Sequence, residues 1–358
     1  MKQFKTKLVL FATVIFIGLL PGKVYSQLDE MGKILTGGVS DAEKIAEAYL
    51  SPFTNAFGAT LNSGWFNTAR PHRFPGFDLT FSANLAFIPE NAELINLSGL
   101  DLKGVYDLES TPTIAGGTVV NPATLAYDLE GAGTVEYTLP QGMGLGIIPA
   151  PTLQLGIGLP FGTDIIGRYI PQVALGDVGN LGLWGIGVKH SLKQWIPVVQ
   201  RLPVVNLSVM AGYTKFYTNA GLDFRPADIN ATDNTTMAVS FDDQQLEFGV
   251  GSFTANLIAS ADIPFITGYL ALGFNSTNSN LKMTGWYPVP DLDQTTPVVT
   301  DNSALKDPID IKLKGDTGGL QPRLTAGAKL KLAVLHIHAD YTYSNYSVVS
   351  AGIGISFR

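Results

Sequence analysis

From residue 77 onward, apolar side chains recur at every second position. In the stretch FDLTFSANLAF, Phe77, Leu79, Phe81, Ala83, Leu85 and Phe87 share one parity, and Asp78, Thr80, Ser82, Asn84 and Ala86 the other. Successive strand side chains point to opposite faces, so this period predicts a strand that is apolar on one side and polar on the other. Similar runs recur around 151–158, 164–174, 183–193, 204–217, 245–260, 267–280, 319–332, 335–345 and 347–357. The segment 90–149 is too long for a bare loop, and LKGVYDL and GTVEYTL within it read as two further strands. The expectation is an all-β chain of 12–14 strands, even in number.

The connections alternate in length. LPFGT, ADIPFI and the turn near Ala333-Val334 are short, KQWIPVVQRLP is intermediate, and 90–149, 218–244 and 281–308 are long and polar. Short turns at one end and long loops at the other are the pattern of an antiparallel transmembrane β-barrel. The final strand fits closure. Val349, Ala351, Ile353, Ile355 and Phe357 form its apolar face, Ser350, Gly352, Gly354 and Ser356 a nearly bare one. If it pairs with the first strand, no free edge remains.

One helical stretch precedes the strands. In SDAEKIAEAYL, Ser40 and Glu43 have capping-box spacing, and Ile45, Ala48 and Tyr49 share a helical face. Ser51-Pro52 is expected to end it, and the small-residue segment that follows is weakly helical. The domain division is therefore a plug or periplasmic segment over 27–72 and a barrel over 73–358.

Face assignment follows from cost. In RLTAGAKLK, Leu324, Ala326, Ala328 and Leu330 oppose Arg323, Thr325, Gly327, Lys329 and Lys331. A basic side chain on lipid costs roughly 2–4 kcal/mol at the midplane, so the charged face is assigned to the lumen. In LHIHADYTY, the same rule sends His336, His338, Asp340 and Thr342 inward. The candidate lumen-lining residues are thus Arg323, Lys329, Lys331, His336, His338 and Asp340. One strand changes parity: Leu246, Phe248 and Val250 share one face, Phe253, Ala255, Leu257 and Ala259 the other, and GVGSF lies at the switch. A β-bulge there would keep one continuous outward face. Trp184, Trp195, Tyr213, Phe216, Tyr217, Tyr269, Trp286, Tyr287, Tyr341, Tyr343 and Tyr346 lie near strand ends and read as interfacial girdles.

Composition sharpens this picture. Glycine supplies 39 of 358 residues and charged residues only 15%, against averages of about 7% and about 25%. Lys2, Lys5 and Lys7, the apolar run LVLFATVIFIGLL, and Val24 and Ser26 read as a signal peptide over 1–26. Its removal takes away four lysines and no acid, moving the balance from −7 to 19 basic against 30 acidic side chains, or −11. An acidic chain argues against nucleic acid as a partner. There is no cysteine, so no disulfide supports the exported chain.

Catalytic chemistry finds little footing. The four histidines, His72, His190, His336 and His338, have no nucleophile signature beside them, so no enzymatic activity is expected. His336 and His338 share a strand face with Asp340. Two imidazoles and a carboxylate fall short of a structural zinc set, so no metal or other cofactor is expected.

LNSGWFNTARPH, GLPFGTDIIGRYIPQ, GIGVKHSLKQWIP and the closing hairpin together resemble an uncharacterised Bacteroidetes-type family of outer-membrane β-barrels. That resemblance implies the outer membrane of a Gram-negative bacterium. It also implies outer-membrane lipid and the barrel-assembly machinery as partners, with Phe357 near the end as the assembly signal. A more distant likeness, in size and in the helical N-terminal segment, is to long-chain fatty-acid transporter (FadL-like) barrels. It implies a plug and a route for hydrophobic solutes. Asn121-Pro122-Ala123 matches a plug motif of that family but lies after the first strand, so no binding residue is transferred. The leading expectation is a channel or transporter for small or hydrophobic organic solutes. The alternative is a non-conducting barrel that works as a scaffold, adhesin or secretion partner through its long loops.

Overall fold

The computed structural model describes residues 39–357 apart from 130–132, 175–178, 227–231, 234–237, 289–297, 302 and 315–318. The signal-peptide reading and residues 27–38 of the plug segment lie outside the described residues.

Ten antiparallel strands close into a barrel: β1 (Phe77–Phe87), β2 (Ile147–Leu159), β3 (Thr163–Ala174), β4 (Asn180–Ser191), β5 (Val205–Gly221), β6 (Gln245–Asp262), β7 (Ile266–Thr284), β8 (Gln321–Leu332), β9 (Leu335–Tyr343) and β10 (Val348–Phe357). Each pairs with its sequence neighbour, and β1 pairs with β10 from Phe77 opposite Phe357 to Ala86 opposite Val348. The closing strand is thus held on both edges. Outward side chains are the apolar set: Leu79, Leu155, Ile186, Leu257, Leu272, Leu330, Ile337 and Ile353 are all exposed.

The barrel has ten strands, not 12–14. The two stretches read from 90–149 do form strands, but Val105–Tyr106, Thr124–Leu129 and Gly133–Thr138 make a separate three-stranded sheet in the β1–β2 connection. With turn ends at 160–162, 192–204, 263–265 and 333–334, the opposite end carries the connections 88–146, 222–244 and 285–320. We call these the turn end and the long-loop end.

The wall is uneven in height. Strands β5, β6 and β7 run for 17, 18 and 19 residues, whereas β8, β9, β10 and β1 have 12, 9, 10 and 11. Beyond Asn275, which pairs with Gln321, β7 changes partner and from Asn278 pairs with a strand over Ile309–Lys314. On this side the barrel proper stops early.

The helix α1 (Val39–Leu61) passes straight through Pro52 instead of ending there. An interior proline forfeits one backbone bond and costs about 3 kcal/mol. The continuation is held because the helix lies inside the barrel. Its first turns, with Ile45 and Tyr49, pack with Leu97, Leu125, Met283 and Ile309 at the long-loop end. Its last, with Phe57 and Leu61, pack with Ile148, Leu183, Phe216 and Val348 in the barrel. At Gly58 an added Cβ would stand 2.2 Å from Thr277 Oγ1, so only glycine permits this approach to β7. Trp65, Phe66 and Ala69 continue toward the turn end against Ile166, Met210 and Ile258. The chain thus runs down the whole lumen before β1 begins at the turn end.

Two expectations fail for one reason. No register shift occurs in β6 against β5 or β7, so GVGSF is not a bulge. Val250 is wholly buried, and Phe248 sits 6.0 Å from the Phe53 ring of α1. The apolar parity changes because the upper lumen is apolar, filled by a helix. The register shift lies instead between β3 and β4, at Ile170/Val173. Likewise Phe216, Tyr269, Tyr287 and Tyr346 are buried, not girdle residues, while Trp184, Trp195, Tyr213, Tyr217, Tyr341 and Tyr343 face outward.

Candidate functional site

The last turn of a helix leaves carbonyls without partners and carries a partial negative charge. In α1 that end is buried mid-barrel, and two arginines from opposite walls meet it. Arg168 on β3 donates to Leu61 O at 2.8 Å and Ser63 O at 2.7 Å, and its Nε to Gln154 at 3.0 Å. Its guanidinium lies 3.8 Å from the Trp65 ring centroid. Arg323 on β8 donates to Asn62 O at 2.7 Å and Ser63 Oγ at 3.2 Å.

Toward the turn end, a second layer forms around Asn67. Lys329 donates to Asn67 Oδ1 at 2.9 Å, and His336 Nε2 is 3.4 Å from Asn67 Nδ2. Asp78 on β1 is 3.6 Å from His336 and 4.0 Å from Lys329, and accepts from Thr80. A third layer holds the exit of the plug. His72 pairs with Asp164 at 3.1 Å, as does Lys189. Thr68 and Lys331 donate to Asp262 at 3.1 and 3.3 Å. A charge buried in this way is stable only when paired and hydrogen-bonded, and the plug backbone supplies much of that pairing.

The structure places Arg323, Lys329, His336, His338 and Asp340 in the lumen against or beside the plug, all buried. Asp340 accepts from Tyr269 at 2.9 Å. Lys331 sits at the turn-end rim beside Asp262. The sequence reading missed Asp78, Asp164, Arg168, Lys189 and Asp262. The parity rule that found the others reaches these too: in TDIIGRYI, Asp164, Ile166 and Arg168 share the inward parity. Among the described residues, no group of three histidines, cysteines or carboxylates is placed to hold a metal ion.

At the other end, α1 is tied by Asp41, which accepts from Lys103 N at 2.8 Å, Gly104 N at 3.0 Å and Tyr127 Oη at 2.9 Å. Burial and the Asp41 carboxylate hold the Tyr127 phenol well above its usual range.

A cavity of about 1080 Å³ opens where the wall is low. Its inner side is α1 at Ala48, Ser51 and Pro52, with Arg323 beside them. Its outer side is Leu272, Leu324 and Tyr343, which belong to the outward apolar face. The loop around Asn91, Leu94 and Asn96 covers it. The cavity therefore joins the outer surface of the barrel to the plug, and Arg323 is the one charged residue of its lining.

Solved structures similar to this chain are outer-membrane barrels of several occupations. Ail, the attachment invasion locus protein of Yersinia pestis, is 9% identical with a TM-score of 0.25, covering 79% of this chain and 100% of its own. The translocator domain of the autotransporter NalP from Neisseria meningitidis is 9% identical with a TM-score of 0.29, covering 80% and 90%. The outer membrane protease OmpT from Escherichia coli is 8% identical with a TM-score of 0.29, covering 79% and 98%. The likeness is one of fold class. Nothing in it supports the Bacteroidetes-type or FadL-like kinship expected from the sequence. No curated protein matches. Over residues 1–357 the chain matches the model of a family of unknown function, DUF6588, and it belongs to that family.

Proposed function

We propose that the protein is an outer-membrane transporter, closed at rest by its N-terminal plug, for small amphipathic or hydrophobic solutes that enter from the side. One observation carries the reading: the cavity at the low wall is bounded by outward-facing Leu272, Leu324 and Tyr343 on one side and by α1 and Arg323 on the other. A pocket shared between a lipid-wetted surface and a polar lumen suits a molecule with an apolar body and a polar end. Passage to the turn end then requires the layers around Leu61–His72 to let go. Such polar layers, built on individual hydrogen bonds worth about 0.5–1.5 kcal/mol net, are separable step by step, unlike a packed apolar core.

The test is binding of a fluorescent amphiphile to the protein in liposomes, compared with Ala48→Trp, which places an indole in the cavity. Saturable binding that the substitution abolishes supports the reading. Binding unaffected by it overturns the site. The filled lumen also favours a second reading, a non-conducting scaffold or adhesin. In that case neither binding nor solute uptake is found, and the long loops do the work.

A further inference from the structure

The direction of the plug has a consequence for which segment of the chain meets the outside. Asp41 is bonded to residues 103, 104 and 127 of the β1–β2 connection, so α1 begins at the long-loop end. His72 is bonded to Asp164 and stands 3.3 Å from Ser356 Oγ, next to the β2–β3 turn and the end of β10. The plug thus leaves the lumen at the turn end, where Phe77 starts β1 opposite Phe357. Resting on the outer-membrane reading above, the short turns are periplasmic and the long loops extracellular.

We infer that the chain enters the barrel from the cell surface: the start of α1 is extracellular, and the plug is an eleventh crossing that brings the chain back to the periplasm before β1. The ten strands alone return the chain to the side on which it started, since Phe77 and Phe357 lie at one end. One further crossing therefore puts the start of α1 on the opposite side from the end of β10. On the outer-membrane reading the chain reaches the barrel from the periplasm, so assembly carries the start of α1 outward through the lumen. The contents of the lumen are suited to this. Main-chain groups of Leu61, Asn62, Ser63, Thr68 and Arg70 are met by wall side chains of Arg168, Arg323 and Lys189, contacts that any polypeptide backbone offers. The side-chain contacts of Asn67, Thr68 and His72 then fix one resting register.

The absence of cysteine makes the test direct. Ser40→Cys, Arg73→Cys, Val334→Cys and Asn345→Cys each replace an exposed residue. Folding of each is checked by heat-modifiable gel mobility. Cells are treated with a membrane-impermeant maleimide, intact and after permeabilising the outer membrane. The expected result is equal labelling of Ser40→Cys and Asn345→Cys in both samples, with Arg73→Cys and Val334→Cys labelled only after permeabilisation. Protection of Ser40→Cys in intact cells while Asn345→Cys is labelled overturns the inference and leaves the barrel reading standing. Protection of both, with Val334→Cys labelled, overturns the orientation and the inference together. A short epitope inserted before Val39 gives an independent readout, to be detected by antibody on intact cells.

Discussion

At the scale of single residues, the bare face of the last strand is explained by what stands opposite it. A Cβ on Gly352 would come within 2.4 Å of His338 Cε1, and one on Gly354 within 2.5 Å of His336 Cε1. The glycines leave room for two imidazoles beside β10. Gly352→Ala should therefore lower stability by about 1–3 kcal/mol, the usual cost of overpacking. Adding His338→Ala should return part of it, since the imidazole is one of the two side chains that crowd the added methyl and Ser82 is the other. Unfolding in urea from liposomes reads both, and additive losses would refute the account. Arg168→Met should cost more. It leaves the carbonyls of Leu61 and Ser63 unmet, at about 1–3 kcal/mol each. Arg168→Lys should recover only part, because an ammonium cannot reproduce the planar fork. At this scale the sequence was legible where alternation was clean: Arg323, Lys329, His336, His338 and Asp340 point inward as their parity required. The partners on the plug were not legible, because they are a backbone carbonyl at Asn62 and short polar side chains at Ser63 and Asn67, in a segment without strand alternation.

Elements tell a different story for strands and for the helix. All ten barrel strands were readable, since each meets an apolar medium on one face and a polar one on the other. The parity change in β6 misled because it assumed one kind of lumen throughout. Near the long-loop end Phe248 and Val250 meet α1, whereas near the turn end Ser260 meets Thr68 Oγ1 and Ala69 N of the plug. The helix was read as ending at Ser51-Pro52 because apolar periodicity reports one buried face. A helix enclosed on all sides needs no such stripe, and Ala56, Ala59 and Gly58 are there for closeness to the wall. On the transport reading proposed above, the layers that hold the plug must release before solute passes. Thr68 Oγ1 and Ser260 Oγ lie 3.3 Å apart, so Thr68→Cys with Ser260→Cys should form a disulfide that ties the plug to β6. Oxidised protein should take up no solute and reduced protein should regain uptake. Undiminished uptake with the bridge intact would show that the plug need not shift.

For the whole molecule, the decisive property is a wall whose outer face is apolar along its length. Leu257 lies in the turn-end part of β6 and faces outward. Leu257→Arg should reduce folding stability in bilayers by about 2–4 kcal/mol if that position is near the midplane, while barely altering the protein in a short-chain detergent that adapts around it. Equal stability in both settings would count against a membrane-embedded wall. The count of strands was the global feature that sequence could not deliver, because strands of the surface sheet over 105–138 alternate as barrel strands do, and alternation does not say which sheet a strand joins.

The slanted rim has a last implication. With a rise of about 3.3 Å per residue and a tilt near 40°, strands of 9–12 residues such as β8–β10 and β1 stand about 25 Å tall, just the height of an apolar membrane band, while those of 17–19 residues reach about 45 Å. On the tall side the barrel therefore forms a parapet well above the headgroups. On the short side it ends level with them. A compound dissolved in the surrounding water meets the parapet and the loops, whereas, on the transport reading proposed above, one already floating in the bilayer meets the cavity at its own depth.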